Sequence, residues 1–187
     1  MLISKEYRAM NADLHAGGSY GHSGQKWAEA VTDLVARYRA TSVLDYGCGQ
    51  GTLAKAVDFP ICEFDPAIVG KDRPPLPVDL VVCTDVLEHI EPDCLDDVLD
   101  HLYSLSRLAC FVVVSTRPAR KILADGRNAH LIIEDDHFWR RRIEELFAIR
   151  EWTSLNQEFA ALLEPLRGLP AIKGRTRRAW RRRLSAP

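Results

Sequence analysis

Two nearly continuous apolar runs, at 78–84 and 110–116, most constrain how this chain can fold. They read VDLVVCT and CFVVVST. A strand with one face in water alternates apolar and polar residues, whereas a strand covered on both faces of a parallel sheet is apolar along its length. The segment between them, 92–106, repeats leucine and valine at helical spacing after a proline and several acids. The three segments therefore predict a strand, a helix and a strand of an α/β fold.

The rest of the chain continues this alternation of strands and helices. The other predicted elements are helices at 24–39, 50–57 and 135–147, strands at 42–46 and 60–64, and two closing strands, or a strand and a short helix, at 148–155 and 158–165. Such an order predicts a Rossmann-like α/β fold, with a mostly parallel open sheet and helices on both faces. Ligands of these sheets bind beyond the carboxyl ends of the strands.

A glycine-rich turn, YGCGQGT, follows the first predicted strand. Glycine allows positive φ and lets the backbone come close to a ligand. A P-loop has a lysine and a serine or threonine after its last glycine, but Thr52 and Leu53 follow Gly51. The dinucleotide pattern G-x-G-x-x-G is also broken, because the third glycine comes one residue early. Asp45, two residues before Gly47, is unfavourable beside a pyrophosphate and favours a ligand with a cationic end.

Three motifs resemble those of the class I S-adenosylmethionine-dependent methyltransferases, a Rossmann-like family. They are DYGCGQG at 45–51, EFDPAI at 63–68 and DLVVCTDVLEHIEP at 79–92, in the family's order. The resemblance implies S-adenosylmethionine as cofactor, with its ammonium near Asp45 and its ribose hydroxyls on Asp65. The cofactor-binding residues that it implies are Asp45, Tyr46, Gly47, Cys48, Gly49, Gln50, Gly51, Asp65, Pro66, Thr84, Asp85 and Val86.

The segment 66–78 departs from the family pattern. It reads PAIVGKDRPPLPV, with four prolines, where the family has a helix, a strand and an acid that contacts adenine. Proline cannot donate to a sheet ladder, so a full strand is not expected here. We therefore predict a fold trimmed around the usual third strand, with the second strand near an edge. Asp72 is then either the adenine contact or a solvated loop acid.

Charge is distributed unevenly along the chain. The net charge is −1, yet residues 173–183 carry seven Lys or Arg and no acid, which leaves the remainder near −8. We expect one cofactor-binding domain at 1–170, with an N-terminal arm at 1–23, and a basic C-terminal tail at 171–187. The tail is predicted to contact nucleic acid, membrane phosphate or an acidic partner, or else to be a solvated chain end.

Hydropathy and cysteine usage predict a cytoplasmic protein. No apolar run approaches the roughly 20 residues of a membrane span, and the first residues lack the apolar region of a secretory signal. The five cysteines are odd in number and show no CxxC spacing. Reduced and mostly buried thiols are expected rather than disulfides or a zinc cluster.

His89 follows the strand 78–84 closely enough to face the cofactor. Imidazole titrates near neutrality, so His89 is predicted either as the base that deprotonates the acceptor or as a structural residue. Asp85, Glu88 and His89 are residue types that bind metals, but they do not form a complete ligand set in the sequence. No metal is therefore expected.

Acceptor-binding residues are predicted in a loop and in the arm. The segment 117–136 is long for a loop of a compact domain, and such loops are often functional. The glycine-hinged segment 15–27 can fold over the site. His130 is an alternative to His89 as the base. The predicted acceptor-binding residues are Tyr20, His22, Arg127, Asn128 and His130.

The sequence favours methyl transfer to oxygen or nitrogen of a small-molecule or glycan-like acceptor. The residues after the fourth motif strand read TDVLEH rather than the DPPY-type tetrad of amino-DNA methyltransferases, and no Pro-Cys motif of the cytosine C5 type occurs. Two alternatives stay open. One is an RNA methyltransferase that uses the basic tail on the RNA backbone, and the other is a catalytically silent S-adenosylmethionine-binding or adaptor domain.

Overall fold

The computed structural model of the chain describes residues 1–18, 21, 23–168, 176 and 178. In that part of the chain, short 3-10 turns occur at Gly24–Trp27, Ala54–Ala56, Leu87–His89 and Pro92–Cys94. The helices are α1 Lys5–Ala16, α2 Ala28–Tyr38, α3 Leu95–Leu105 and α4 Asp136–Ile143. The strands are β1 Val43–Tyr46, β2 Cys62–Phe64, β3 Val78–Thr84, β4 Ser106–Ser115, β5 Phe147–Leu155 and β6 Glu158–Pro165. No helix among the described residues has the length and apolar character needed to cross a membrane.

The six strands form one open sheet in the order β2-β1-β3-β4-β6-β5. The contacts β2–β1, β1–β3 and β3–β4 are parallel, and the contacts of β6 with β4 and β5 are antiparallel. The predicted Rossmann-like α/β architecture is confirmed. The segment 65–77 contains no strand, so β2 is an edge strand, as the four prolines predicted.

Apolar clusters cover both faces of the sheet. Leu80 and Val82 of β3 pack in one cluster with α2, whereas Val81 and Cys83 pack in a second cluster with α3 and α4. Successive residues of a strand point to opposite faces, so a strand at the centre of this sheet must be apolar at nearly every position. Helices therefore lie on both faces, as predicted.

Helix α1 was not predicted, since the segment 1–23 was treated as an arm. The Ser4 side chain begins the helix by accepting a hydrogen bond from the backbone N–H of Tyr7 at 3.1 Å. Tyr7 is buried in a third apolar cluster with Leu123 and Ala129 of the loop 117–136. The helical spacing of apolar residues that indicates α1 is Ile3, Tyr7, Met10 and Leu14.

Several predicted boundaries differ from the structure. The helix expected at 50–57 is only the 3-10 turn at Ala54–Ala56. The last predicted helix ends at Ile143 rather than 147. Strand β4 begins at Ser106, directly after α3, because Ser106 pairs with Val78 at the start of β3. The closing segments are both strands, and β5 and β6 form an antiparallel pair.

The basic tail at 171–187 lies outside the described residues, except for Thr176 and Arg178. The Arg178 side chain is buried, with Nε 3.2 Å from Asp100 Oδ1 and Nη1 3.6 Å from Glu145 Oε2. Its Nη2 donates to the backbone carbonyl of Asp96. One basic residue of the tail is therefore paired with acids of this chain.

We expect Leu102→Ala to lower the free energy of unfolding by about 2–5 kcal/mol, because Leu102 is fully buried between α3 and the sheet. Urea denaturation measures the change. The control is Leu76→Ala, whose side chain is 80% exposed and whose loss is expected to change stability by less than about 0.5 kcal/mol. Equal effects of the two substitutions would contradict the assignment of α3 to the core.

Candidate active site

The glycine-rich turn that follows β1 approaches two other parts of the backbone closely. Gly47, Gly49 and Gly51 have φ values of 75°, 49° and 68°. A Cβ atom added to Gly47 would lie 2.5 Å from a methyl carbon of Val86, and one added to Gly49 would lie 2.9 Å from the backbone of Gly21. Larger residues at Gly47 and Gly49 would displace Val86 or the Gly21 segment. Glycine is therefore required here by both φ and space.

A pocket lies at the carboxyl ends of β1, β2 and β3, between the glycine turn and α1. Seven of the predicted residues line it, namely Gly47, Gly49, Asp65, Pro66, Asp85, Val86 and His89. The sequence analysis missed the wall that α1 contributes, which comprises Tyr7, Asn11 and His15. The pocket is thus where the topology of the sheet predicts a ligand.

Asp65 is a buried carboxylate that follows β2 and faces this pocket. Its Oδ2 accepts a hydrogen bond from the Gly49 N–H at 3.1 Å, and its Oδ1 accepts one from the Ala67 N–H at 2.9 Å. The His15 Nε2 atom lies 3.8 Å from Oδ2. A carboxylate oxygen has two lone pairs, so Asp65 can also accept hydrogen bonds from ligand hydroxyls.

Asp85 leaves the carboxyl end of β3 in a left-handed backbone conformation. Its φ is 55°, and its N–H donates to the Val113 carbonyl at 3.0 Å. This conformation is uncommon outside glycine, although aspartate adopts it more readily than most residues. The turn places the Asp85 side chain at the pocket and starts the 3-10 turn Leu87–His89 that crosses its edge.

A second layer of charged residues lies beneath the glycine turn. The Lys71 ammonium donates to the Gly49 carbonyl and to Glu63 Oε1, both at 3.0 Å. A Cβ atom on Gly51 would lie 2.0 Å from Glu63 Oε1, so Gly51 makes room for this ion pair. Burial, followed by the charge of Glu63, raises the pKa of the Asp45 carboxyl to about 7.

The other predicted cofactor residues do not line the pocket. The Tyr46 hydroxyl contacts His101 Nδ1 at 3.0 Å in the core, and the Gln50 side chain donates to the His15 carbonyl at 3.0 Å. Asp72 accepts a hydrogen bond from Arg8 of α1 at 2.8 Å and is not a pocket residue. The predicted residues in this second group are Asp45, Tyr46, Cys48, Gln50, Gly51 and Thr84.

His89 and His130, the two predicted candidates for the base, meet at the pocket edge. Their ring centroids are 4.7 Å apart and the rings are nearly perpendicular, at 85°. The His89 Nδ1–H donates to the Ala129 carbonyl at 2.7 Å, and the His130 Nδ1–H donates to the Arg117 carbonyl at 2.6 Å. A carbonyl can only accept, so the acceptor nitrogen of each neutral ring is Nε2.

Both imidazoles are neutral near pH 7. Burial, and then the neighbouring His130, lowers the pKa of His89 to about 4. Burial also lowers the pKa of His130 from its ordinary value. A neutral imidazole has a lone pair on Nε2, which can accept a proton or a metal ion.

The other predicted acceptor residues are held within their own loop or lie outside the described part. The Asn128 amide accepts from the Ala119 N–H and donates to the Ala119 carbonyl, both at 2.9 Å. The Arg127 guanidinium pairs with Asp125 at 2.7 Å. Asn128 therefore shapes the loop that holds His130. Tyr20 and His22 are outside the described residues, although Gly21 between them lines the pocket.

The fold and the pocket define a Rossmann-like domain with a cofactor site at the carboxyl ends of its parallel strands. The family model for the methyltransferase domain matches residues 20–162, which is most of the chain. No curated protein matches the sequence. The chain belongs to this methyltransferase family, and it is a class I methyltransferase that uses S-adenosylmethionine, as the motifs predicted.

Solved structures share the fold at low sequence identity. The 1,6-didemethyltoxoflavin-N1-methyltransferase of Burkholderia thailandensis, bound to S-adenosylhomocysteine, has a TM-score of 0.57 and 15% identity, over 87% of this chain and 90% of its own. The magnesium protoporphyrin IX methyltransferase of Synechocystis PCC 6803 has a TM-score of 0.52 and 20% identity, over 77% and 83%. An rRNA methylase from Escherichia coli has a TM-score of 0.51 and 16% identity, over 88% and 78%.

We expect Asp45→Asn to reduce the loss of stability between pH 5 and pH 8. The pKa of Asp45 is raised to about 7, so the folded protein keeps a proton there that the unfolded chain releases, and stability falls as pH rises through 7. Urea denaturation across this pH range measures the slope. Asp33→Asn, at an exposed position of α2, is the control. An unchanged slope in Asp45→Asn would contradict the raised pKa.

Proposed function

We propose that the protein transfers the methyl group of S-adenosylmethionine to an oxygen or nitrogen of a small-molecule or glycan-like acceptor. The observation that carries the proposal is the meeting of His89 and His130 at the edge of the pocket that Gly47, Gly49 and Asp65 form. One wall of the pocket is suited to the donor, and its edge presents two neutral imidazoles to an acceptor.

The pocket residues fit the cofactor. Gly47 and Gly49 leave the backbone bare along the pocket, and Val86 and Ile90 provide apolar surface. In this proposal, Asp65 accepts hydrogen bonds from the ribose hydroxyls, and the negative charge of Asp45 beneath the turn favours the ammonium end. S-adenosylmethionine supplies a methyl group on a positively charged sulfur, so the chain needs no nucleophile of its own.

The work of the chain is then to orient the acceptor and to activate it. Proximity and orientation lower the barrier of a reaction between two bound molecules by several kcal/mol. The backbone carbonyls of Ala129 and Arg117 fix the rings of His89 and His130. We assign activation of the acceptor to the Nε2 lone pairs of these rings.

Charge and shape favour a small acceptor over a nucleic acid. The part of the chain outside residues 173–183 has a net charge near −8, which repels a polyanion. Helix α1 covers one side of the pocket, and its Ser4 side chain donates to Glu91 Oε1 at 2.7 Å beyond the pocket edge. An acceptor must therefore enter between α1 and the loop that carries His130.

RNA methylation is the second candidate, because seven basic residues lie at 173–183 and an rRNA methylase shares the fold. The two acceptor classes differ in salt dependence. Activity on RNA that falls steeply with salt, and that deletion of 173–183 abolishes, would favour RNA. Activity on a metabolite extract with methyl-labelled S-adenosylmethionine, retained after this deletion, would favour a small molecule.

We expect Asp65→Asn to weaken S-adenosylmethionine binding by about 10- to 100-fold, through loss of charge-assisted hydrogen bonds. Isothermal titration calorimetry measures binding of S-adenosylmethionine and S-adenosylhomocysteine, with NAD and ATP as ligands that we expect not to bind. Asp33→Asn is the charge-matched control, and thermal melting checks that each variant folds. Preferential binding of NAD would contradict the proposed cofactor contacts.

We expect His89→Ala and His130→Ala each to lower turnover by about 10²- to 10⁴-fold with little change in S-adenosylmethionine affinity, because activation of the acceptor is lost. Transfer of the labelled methyl group measures turnover. The exposed His137→Ala in α4 is the matched control. Turnover equal to that of the parent in both variants would return the histidine pair to a structural role. Tight cofactor binding without transfer to any extract would favour the silent domain.

A further inference from the structure

Glu88, His89 and His130 form a cluster of metal-binding side chains. One carboxylate oxygen of Glu88 and one ring nitrogen of each histidine all lie within 4.8 Å of one another. Two of these residues come from the turn after β3, and the third comes from the loop 117–136. The sequence analysis expected no metal because it considered Asp85, Glu88 and His89 without His130, which the fold brings to them.

The hydrogen bonds of both imidazoles are those of metal-binding histidines. Each ring donates its Nδ1–H to a backbone carbonyl, that of Ala129 for His89 and that of Arg117 for His130. Histidine ligands of metals usually donate their second ring N–H in this way, which fixes the tautomer and the ring orientation. In both rings Nε2 is then the nitrogen with a lone pair.

Glu88 provides an independent observation. Its side chain is fully buried, and its Oε1 accepts a hydrogen bond from the Ser115 N–H at 2.9 Å. Its Oε2 has no hydrogen-bond partner among the described residues, and neither has the nearby buried Ser115 Oγ. A buried polar atom without a partner costs about 1–3 kcal/mol, and a bound ion or water would remove that cost.

Asp85 adds negative charge on the pocket side of the cluster. It lines the pocket beside His89, and its charge acts on both Glu88 and His130. The cluster is therefore continuous with the pocket, and an ion held there would face the acceptor.

We propose that Glu88, His89 and His130 bind one divalent transition-metal ion at the edge of the cofactor pocket. Two imidazoles and one carboxylate suit Zn²⁺, Mn²⁺ or Co²⁺, whereas Mg²⁺ prefers oxygen ligands alone. Three protein ligands leave a coordination position for an acceptor oxygen, as in catalytic zinc sites. The ion itself does not depend on the proposed function, but its catalytic consequence does.

That consequence is a hydroxyl-bearing acceptor. Coordination lowers the pKa of a bound hydroxyl, whose proton passes to water. The oxygen then forms its bond to the methyl carbon as the bond from that carbon to sulfur breaks. With the ion bound, both imidazoles are ligands, and the ion takes over the activation that a histidine base would otherwise provide.

The test is a titration of the full chain, prepared without a histidine tag and freed of metal by chelation, with CoCl₂. We expect one Co²⁺ per chain, detected by visible ligand-field absorption. His130→Ala and Glu88→Gln are expected to weaken Co²⁺ binding by more than about 10-fold. Glu88→Gln keeps the side-chain shape and an acceptor for the Ser115 N–H, so it tests the charge with the fold intact. His137→Ala is the matched control and is expected to bind Co²⁺ as the parent does.

Absence of stoichiometric Co²⁺ binding would overturn the proposal, as would binding that survives both His130→Ala and Glu88→Gln. Calorimetry with S-adenosylmethionine on the same metal-free protein separates this result from the proposed function. Co²⁺ binding without cofactor binding would keep the ion site and contradict the function. Full methyl transfer by the metal-free protein would keep the function and contradict the ion site.

Discussion

The burial of β3 on both faces is the constraint on which the rest of the structure depends. Its side chains alternate between the cluster under α2 and the cluster under α3 and α4, so the strand must lie at the centre of a covered sheet. Its carboxyl end then opens beside those of β1 and β2. The left-handed turn at Asp85 starts the Leu87–His89 turn, and His89 reaches the pocket edge for that reason. The two cores and the site are consequences of the same strand.

The cover of the pocket uses the segment in which the sheet is trimmed. The chain between β2 and β3 forms no strand, yet it provides Lys71, which holds the glycine turn, and Asp72, which pairs with Arg8 of α1. Tyr7 of α1 packs against the loop 117–136 from the other side. Helix α1 therefore contacts both the trimmed segment and the loop that carries His130, and it couples the donor wall of the pocket to the acceptor edge.

The two histidines show how neutral polar groups are kept at a partly buried site. A charged imidazole there would lose hydration, and burial lowers the pKa of each ring accordingly. Backbone carbonyls of Ala129 and Arg117 fix the tautomers, and Asn128 bonds with both backbone groups of Ala119 to hold the loop itself. The loop residue expected to contact an acceptor thus acts one step away, by orienting the loop that holds His130.

The sequence by itself determined the sheet, the glycine turn and the class of cofactor, because apolar runs, prolines and glycines act over a few neighbouring residues. It also determined that the segment after β2 forms no strand, since prolines cannot donate to a ladder. Only the tertiary structure decided that His130 meets His89 and Glu88, that Asn128 serves its own loop and that α1 walls the pocket. These contacts join segments tens of residues apart, and local periodicity carries no information about which loops meet at the edge of a sheet.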